Sequence, residues 1–276
     1  VKLVRYDAGA GARCGVIDGG EVREIVAPAH PAGDMAALLA LGLDGLMLGE
    51  ERLAESAVRL LAPIANPPKI LCAWVNYPNP AMATMPQVPI FFSKYASAII
   101  GPGEAIQLPR IGDEIVVEPE LAAVIGKPGK HIAEADALDH VAGYTIVNDV
   151  TAFSHRLQIL LGSQGPYMMA KSFDTFAPMG PCIATADEVA DPQALSQRHW
   201  VNAALETDAH SSAMVYPLAR LISYASGFFA LQPGDVILCG SPFPLAGKPG
   251  FLKAGDTVEI EIEGIGRLVN PVVAEA

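Results

Sequence analysis

The chain has 276 residues, of which 51% are apolar and only 17% charged, a balance that describes a compact globular protein and excludes a disordered one. That length suits one large domain or two unequal ones. The formal net charge of -12 repels nucleic acid and anionic membrane surfaces, and no local cluster of Lys and Arg overrides it, so neither is an expected partner.

The first 26 residues alternate in short apolar runs, Leu3-Val4-Arg5-Tyr6, Cys14-Gly15-Val16-Ile17 and Val22-Arg23-Glu24-Ile25-Val26. Asp18-Gly19-Gly20 between the last two is a hairpin signal. From Asp34 to Leu61 the period turns helical, with Asp34 placed as an N-cap and Glu50 to Leu61 amphipathic. Asn66-Pro67-Pro68 then breaks the chain. The expected organisation is a small N-terminal α+β domain, residues 1–66, and a larger domain, residues 67–276.

Beyond the break, strands are predicted at Ile70 to Val75, Pro89 to Phe92 and Leu121 to Ile125. The stretch Tyr77 to Val88 carries repeated prolines and no regular period, as functional lids do. Glu134 to His140 reads as a short helix, and Asp235 to Cys239 and Thr257 to Ile262 read as late strands, with Glu259, Glu261 and Glu263 on a solvated face. Trp74 is assigned to strand core and Trp200 to packing in the second half of the chain. His30, His131, His140, His199 and His210 fall in predicted loops or beside helix ends with no metal-ligand spacing.

Cys14, Cys72, Cys182 and Cys239 are scattered without a C-x-x-C pair, which predicts buried free thiols. No basic-then-apolar segment opens the sequence, and the longest apolar stretch, Ser212 to Leu231, is interrupted by Pro217 and Arg220. A soluble cytoplasmic protein is the expectation.

Glu118-Pro119-Glu120 and Asp149 are the residues whose chemistry stands out. On a strand, the two-residue period points Glu118 and Glu120 to one face, and Asp149 ends the next apolar run, Tyr144 to Val147. Three converging carboxylates would bind magnesium, manganese or calcium through oxygen alone. The spacing is also that of ordinary strand-edge and turn carboxylates.

Longer motifs carry a resemblance. Gly101-Pro102-Gly103, Glu118 to Lys127, Ala142 to Val150, Lys171 to Pro181, Pro233 to Leu238, Phe251 to Asp256 and Glu263 to Gly266 together resemble the fumarylacetoacetate hydrolase superfamily over most of residues 67–272. The resemblance implies a mixed β-roll, a β-rich α+β fold, usually assembled as a homodimer. It implies that Glu118, Glu120 and Asp149 hold the metal and that Lys171 lines the same pocket, beside Asn148 and Tyr77. Lys171 as a surface salt-bridge lysine is the alternative, set against its neighbours Met168, Met169 and Phe173. The implied substrate is a 2-oxo acid or 1,3-dicarbonyl compound, whose two oxygens chelate a metal acting as Lewis acid on an enolate.

The chain departs from the family pattern in its proton-transfer groups. Hydrolytic members carry Asn-Tyr-x-x-His-x-x-Glu, and here Asn76-Tyr77 are followed by Pro80 at the histidine position and Ala83 at the glutamate position. Neither replacement can move a proton, and such a base commonly contributes a factor of roughly 10² to 10⁴. An arginine expected after the metal aspartate is Phe153, followed by His155-Arg156-Leu157-Gln158 in a segment two residues longer than usual. Gln158 is placed in the family's polar role, and His155 or Arg156 is either a substitute pocket group or part of a solvent-facing helix. Ser241 replaces the threonine of Gly-Thr-Pro and keeps its hydroxyl. These changes make the expected pocket more apolar and the expected substrate larger and less charged than a short diacid. The expected chemistry is decarboxylation, tautomerisation or carbon–carbon cleavage through an enolate. The rivals are an ordinary carbon–carbon hydrolase with His155 as base, and a metal-binding homologue without turnover.

Overall fold

The computed structural model describes residues 1–26, 32–80, 82, 84–153 and 167–276. A twelve-stranded mixed sheet forms the body, with a five-stranded sheet and a two-stranded pair beside it. This is the β-rich α+β architecture expected.

The central hairpin of the large sheet is Pro119–Ile125 paired antiparallel with Val141–Asn148, in the register Pro119↔Asn148 and Leu121↔Ile146. Its sequence is apolar at nearly every position because both faces are covered. Leu121, Ala123, Ile125, Tyr144 and Ile146 face one apolar cluster, and Ala122, Val124 and Val147 face the other. Val236–Leu238 flanks the hairpin on one side and Ala177–Thr185 on the other. The second contact needs Gly143, since a Cβ there would lie 2.3 Å from the Ala184 carbonyl oxygen.

The proline break at Asn66-Pro67-Pro68 lies between Arg59–Leu61 and Ile70–Ala73, and both strands belong to the large sheet. Lys2–Asp7 joins it directly by pairing with Ala177–Thr185. The helical expectation for Asp34 to Leu61 holds only for Met35–Leu41, where Asp34 Oδ1 accepts the Ala37 N–H at 3.0 Å and Gly42 follows at φ 86°. Glu50 to Leu61 is instead strand Leu53–Ala54, a tight turn at Glu55–Ala57 and strand Arg59–Leu61. Here Leu53, Val58 and Leu60 pack on the core while Arg59 pairs in register with Asp7, and sheet pairing overrides the helical pattern.

Glu134–His140 forms a 3₁₀ helix against the α-helix Leu218–Phe228. The four cysteines are free and buried, and burial pushes Cys14 up to about 12 and Cys182 up to about 11. Among the described residues no helix is long and apolar enough to cross a membrane. Trp74 is a correction: it lies past the end of strand Ile70–Ala73 and is only half-buried. Trp200 sits on strand Ser196–Val201 beneath the Arg267 guanidinium, 5.3 Å from its ring centre. His199 and His210 are likewise on strands and not in loops. His30 lies outside the described residues.

Candidate active site

Glu118 precedes the strand Pro119–Ile125 and Glu120 lies on it, so both carboxylates leave the same face. The hairpin register brings Asp149 beside them, and the Asp149 N–H donates to the Glu118 carbonyl at 2.9 Å. One oxygen from each of the three side chains lies within 4.8 Å of the others, with Glu120 and Asp149 buried and Glu118 half-buried. The convergence expected from the sequence is present.

Two lysines close the arrangement. Lys171, at the end of the short helix Tyr167–Lys171, is buried and donates to Asp149 Oδ2 at 2.6 Å and to Glu118 Oε2. It also lies 4.9 Å above the ring centre of Phe92. Its burial rules out the surface-lysine alternative. Lys94 is buried as well, with Nζ 2.7 Å from Asp149 Oδ1 and 3.1 Å from the Val150 carbonyl oxygen.

Burial pushes Glu118 and Glu120 upward, with Asp149 adding like charge at both, and Glu118 rises less because Lys171 bonds it directly. Burial also pushes Asp149 upward, but Lys171 and Lys94 outweigh it and hold Asp149 below its ordinary value. Burial pulls Lys94 down, whereas Asp149 and Glu118 overcome burial at Lys171 and raise it. Counted formally as ionised, three carboxylates and two ammonium groups sum to one negative charge, on hard oxygen donors in a buried setting. That donor set fits a divalent cation of the magnesium, manganese or calcium type.

Lys94 is absent from the sequence prediction. Its signal is a lone lysine two residues after the apolar run Ile90-Phe91-Phe92, at the end of a predicted strand. An isolated cation in such a run needs a buried anion.

The other predicted residues take varied places. Glu120 Oε2 accepts the Gly240 N–H at 2.5 Å, which puts Ser241 one residue from the cluster, half-buried and with Oγ 3.3 Å from the Pro242 carbonyl oxygen. Asn148 Oδ1 accepts the Glu118 N–H at 3.2 Å, and its buried Nδ2 has no hydrogen-bond partner among the described residues. Tyr77 is buried, and its hydroxyl accepts from Gln197 Nε2 of the five-stranded sheet at 2.9 Å. Phe153 is 45% exposed, its N–H donating to the Glu114 carbonyl. Pro80 is exposed. His155, Arg156, Gln158 and Ala83 lie outside the described residues.

Comparison with known proteins agrees with this geometry. The profile of the fumarylacetoacetate (FAA) hydrolase C-terminal domain matches residues 69–273. An oxaloacetate tautomerase, mitochondrial fahd2 of Xenopus laevis, is 44% identical over 228 residues, covering 80% of this chain and 70% of that protein. The human mitochondrial oxaloacetate tautomerase FAHD2A is 42% identical over 228 residues, covering 80% of this chain and 71% of that one. Among solved structures, maleylpyruvate hydrolase from Sphingobium sp. SYK-6, in complex with manganese (II) ion and pyruvate, superimposes with a TM-score of 0.82 at 32% identity over 100% of both chains. The 5-carboxymethyl-2-hydroxymuconate delta-isomerase of Mycobacterium smegmatis gives a TM-score of 0.83 at 35% identity, again over 100% of both chains. These relatives are enzymes that include tautomerases, isomerases and hydrolases. The chain belongs to the fumarylacetoacetate hydrolase family.

Proposed function

We propose that this chain is a divalent-metal-dependent enzyme acting on an enolisable 2-oxo acid or 1,3-dicarbonyl compound, by a reaction that needs no dyad-activated water. The observation that carries this is a complete carboxylate and lysine cradle in a chain whose sequence has Pro80 at the histidine position. Glu118, Glu120 and Asp149 would hold the metal, which when bound supplies Lewis-acid polarisation of an oxo group. A divalent cation turns the residual charge of the cradle from one negative to one positive, which favours an anionic substrate. Lys171, set between Glu118 and Asp149, is the cation placed to bind a substrate oxygen where negative charge develops. Lys94 is more deeply enclosed and orients Asp149 through its second oxygen.

Tautomerisation suits this site best, because it moves a proton within the substrate and consumes no water. The names of the oxaloacetate tautomerases and of the delta-isomerase support the same class of reaction. Met169 and Phe153, each 45% exposed and near Lys171 and Asp149 in the chain, support a substrate with an apolar part outside the cradle. A homodimer is the proposed assembly, on the family resemblance.

The test compares enol-to-keto conversion of oxaloacetate with acylpyruvate hydrolysis. Conversion is expected to require Mg²⁺ or Mn²⁺, to stop with chelator, and to fall by about 10² or more in Lys171→Met. Acylpyruvate hydrolysis is expected to be slow until Pro80→His and Ala83→Glu are introduced together. Fast wild-type hydrolysis that disappears in His155→Ala would establish the hydrolase with a substitute base instead. Metal binding without turnover on either substrate class would establish the silent homologue.

A further inference from the structure

We propose that Asn76 is a positioning residue that aims the Cys239–Gly240 peptide at Glu120 and so sets the orientation of that carboxylate. The inference rests on Glu120 being one of the metal-holding residues.

Asn76 is buried, immediately before Tyr77 and the irregular stretch that leads to Val88. Both of its side-chain donors and its side-chain oxygen are spent on backbone from two distant segments. Nδ2 donates to the Cys239 carbonyl at 2.8 Å and to the Tyr216 carbonyl at 2.9 Å, while Oδ1 accepts the Tyr216 N–H at 2.8 Å. Its own carbonyl accepts the Val215 N–H at 2.8 Å.

The bond to Cys239 reaches the cradle through a single peptide group. In a trans peptide the C=O and the following N–H leave opposite edges of one rigid plane. Asn76 holds the oxygen edge, and the Gly240 N–H on the other edge donates to Glu120 Oε2 at 2.5 Å. Rotating that plane would break both bonds together. Each bond also polarises the other through the peptide. With Oε2 fixed, the carboxylate plane is fixed, and so is the direction in which its other oxygen can face a cation.

Packing enforces the same orientation. Gly240 has φ 88°, and a Cβ there would sit 2.7 Å from the Asn76 Cβ. The glycine lets the peptide lie directly against Asn76. Tyr216, bound twice by Asn76, donates its hydroxyl to the Pro86 carbonyl oxygen. The asparagine therefore ties both ends of the stretch after Tyr77 to the peptide that holds Glu120.

Outer groups that orient metal ligands typically account for a factor of about 10 to 100 in metal affinity. The test measures Mn²⁺ affinity by electron paramagnetic resonance for wild type, Asn76→Asp, Asn76→Ala and Glu120→Ala. Asn76→Asp keeps the acceptor for the Tyr216 N–H and loses the donor arms to the Cys239 and Tyr216 carbonyls. Weaker Mn²⁺ binding by about 10-fold or more in both Asn76 variants, with unfolding midpoints that do not track the loss, is the expected result. In the wild type, the Gly240 amide resonance should be protected from exchange and should shift when Mg²⁺ is added, a readout that needs no variant to fold. Wild-type affinity in Asn76→Asp, or a Gly240 amide that exchanges freely and ignores Mg²⁺, overturns the positioning role while leaving the metal site standing. Undiminished Mn²⁺ binding in Glu120→Ala overturns the assignment of Glu120, and the positioning role with it.

Discussion

The two larger sheets both bury polar side chains, but of different kinds. At one end of the twelve-stranded sheet Lys94, Asp149 and Lys171 are buried as charges in contact with one another, and Glu120 is buried beside them with Oε2 on the Gly240 N–H. The five-stranded sheet buries Gln197, His199, Thr207 and Asn270, groups that are neutral near pH 7, and keeps its charges on the outer face, where Arg267 meets Glu259 and Glu261 at 2.8 Å each. Neutral polar groups inside a sheet need only hydrogen bonds. Buried ions carry a desolvation cost that well-packed apolar residues would avoid. Their concentration at one place is a mark of chemistry, and the second sheet shows what the fold does where no chemistry is required.

The largest expected effect comes from removing the anion shared by the two lysines. Asp149→Ala leaves Lys94 buried without a counter-charge and should lower unfolding free energy by about 3–5 kcal/mol in urea titrations of the metal-free protein. Adding Lys94→Met should recover much of that loss. If it does not, the charge pair is not what Asp149 contributes. His199 tests the other sheet. Its imidazole is within 2.8 Å of the Thr207 hydroxyl, and burial lowers it from 6.5 to about 4. Between those values the unfolded chain takes up a proton and the folded one does not, so this contribution is full above pH 6.5 and is lost as pH falls toward 4. The difference corresponds to about 3 kcal/mol. His199→Gln should flatten the acid limb of a stability profile.

The convergence of Glu118, Glu120 and Asp149 leaves a trace in strand period and hairpin register, but that spacing also fits ordinary strand-edge carboxylates, and the family resemblance is what singles out the three acids and Lys171. Glu118, Glu120 and Asp149 needed only a strand and its antiparallel partner to meet. Lys94 was not legible in the same way, since its partner is 55 residues away in the chain and no periodicity links them. Glu50 to Leu61 was misread because its leucines fit a helical wheel, while the unpaired edge of Lys2–Asp7 decides the outcome in three dimensions. Asn76 was visible only as part of a motif. Its bonds to Tyr216 and Cys239 span 140 and 163 residues, a closure that no local pattern encodes.

Loading the cradle with metal should stabilise the protein by an amount similar to what His199 protonation removes. At a concentration about 100 times the dissociation constant, a ligand that binds only the folded state adds about 2.7 kcal/mol. The rise in melting temperature with Mn²⁺ should vanish in Glu120→Ala and persist in His199→Gln. The same rise in Glu120→Ala would place the ion elsewhere.

The smallest effect belongs to the outer face of the five-stranded sheet. Glu261 lies directly across from Arg267 in register, and both guanidinium contacts converge on its Oε2. The Arg267 side chain is nevertheless 51% exposed, and water and salt screen the pair. Glu261→Gln should therefore cost no more than about 1 kcal/mol, and the difference should shrink at 1 M salt. Arg267 retains its contact with Glu259 and its seat over Trp200 in that variant, so the measurement isolates one exposed pair. A loss approaching that of Asp149→Ala, unchanged by salt, would mean that surface charges hold this fold as strongly as buried ones. The separation between a sheet that buries ions for chemistry and one that does not would then fail.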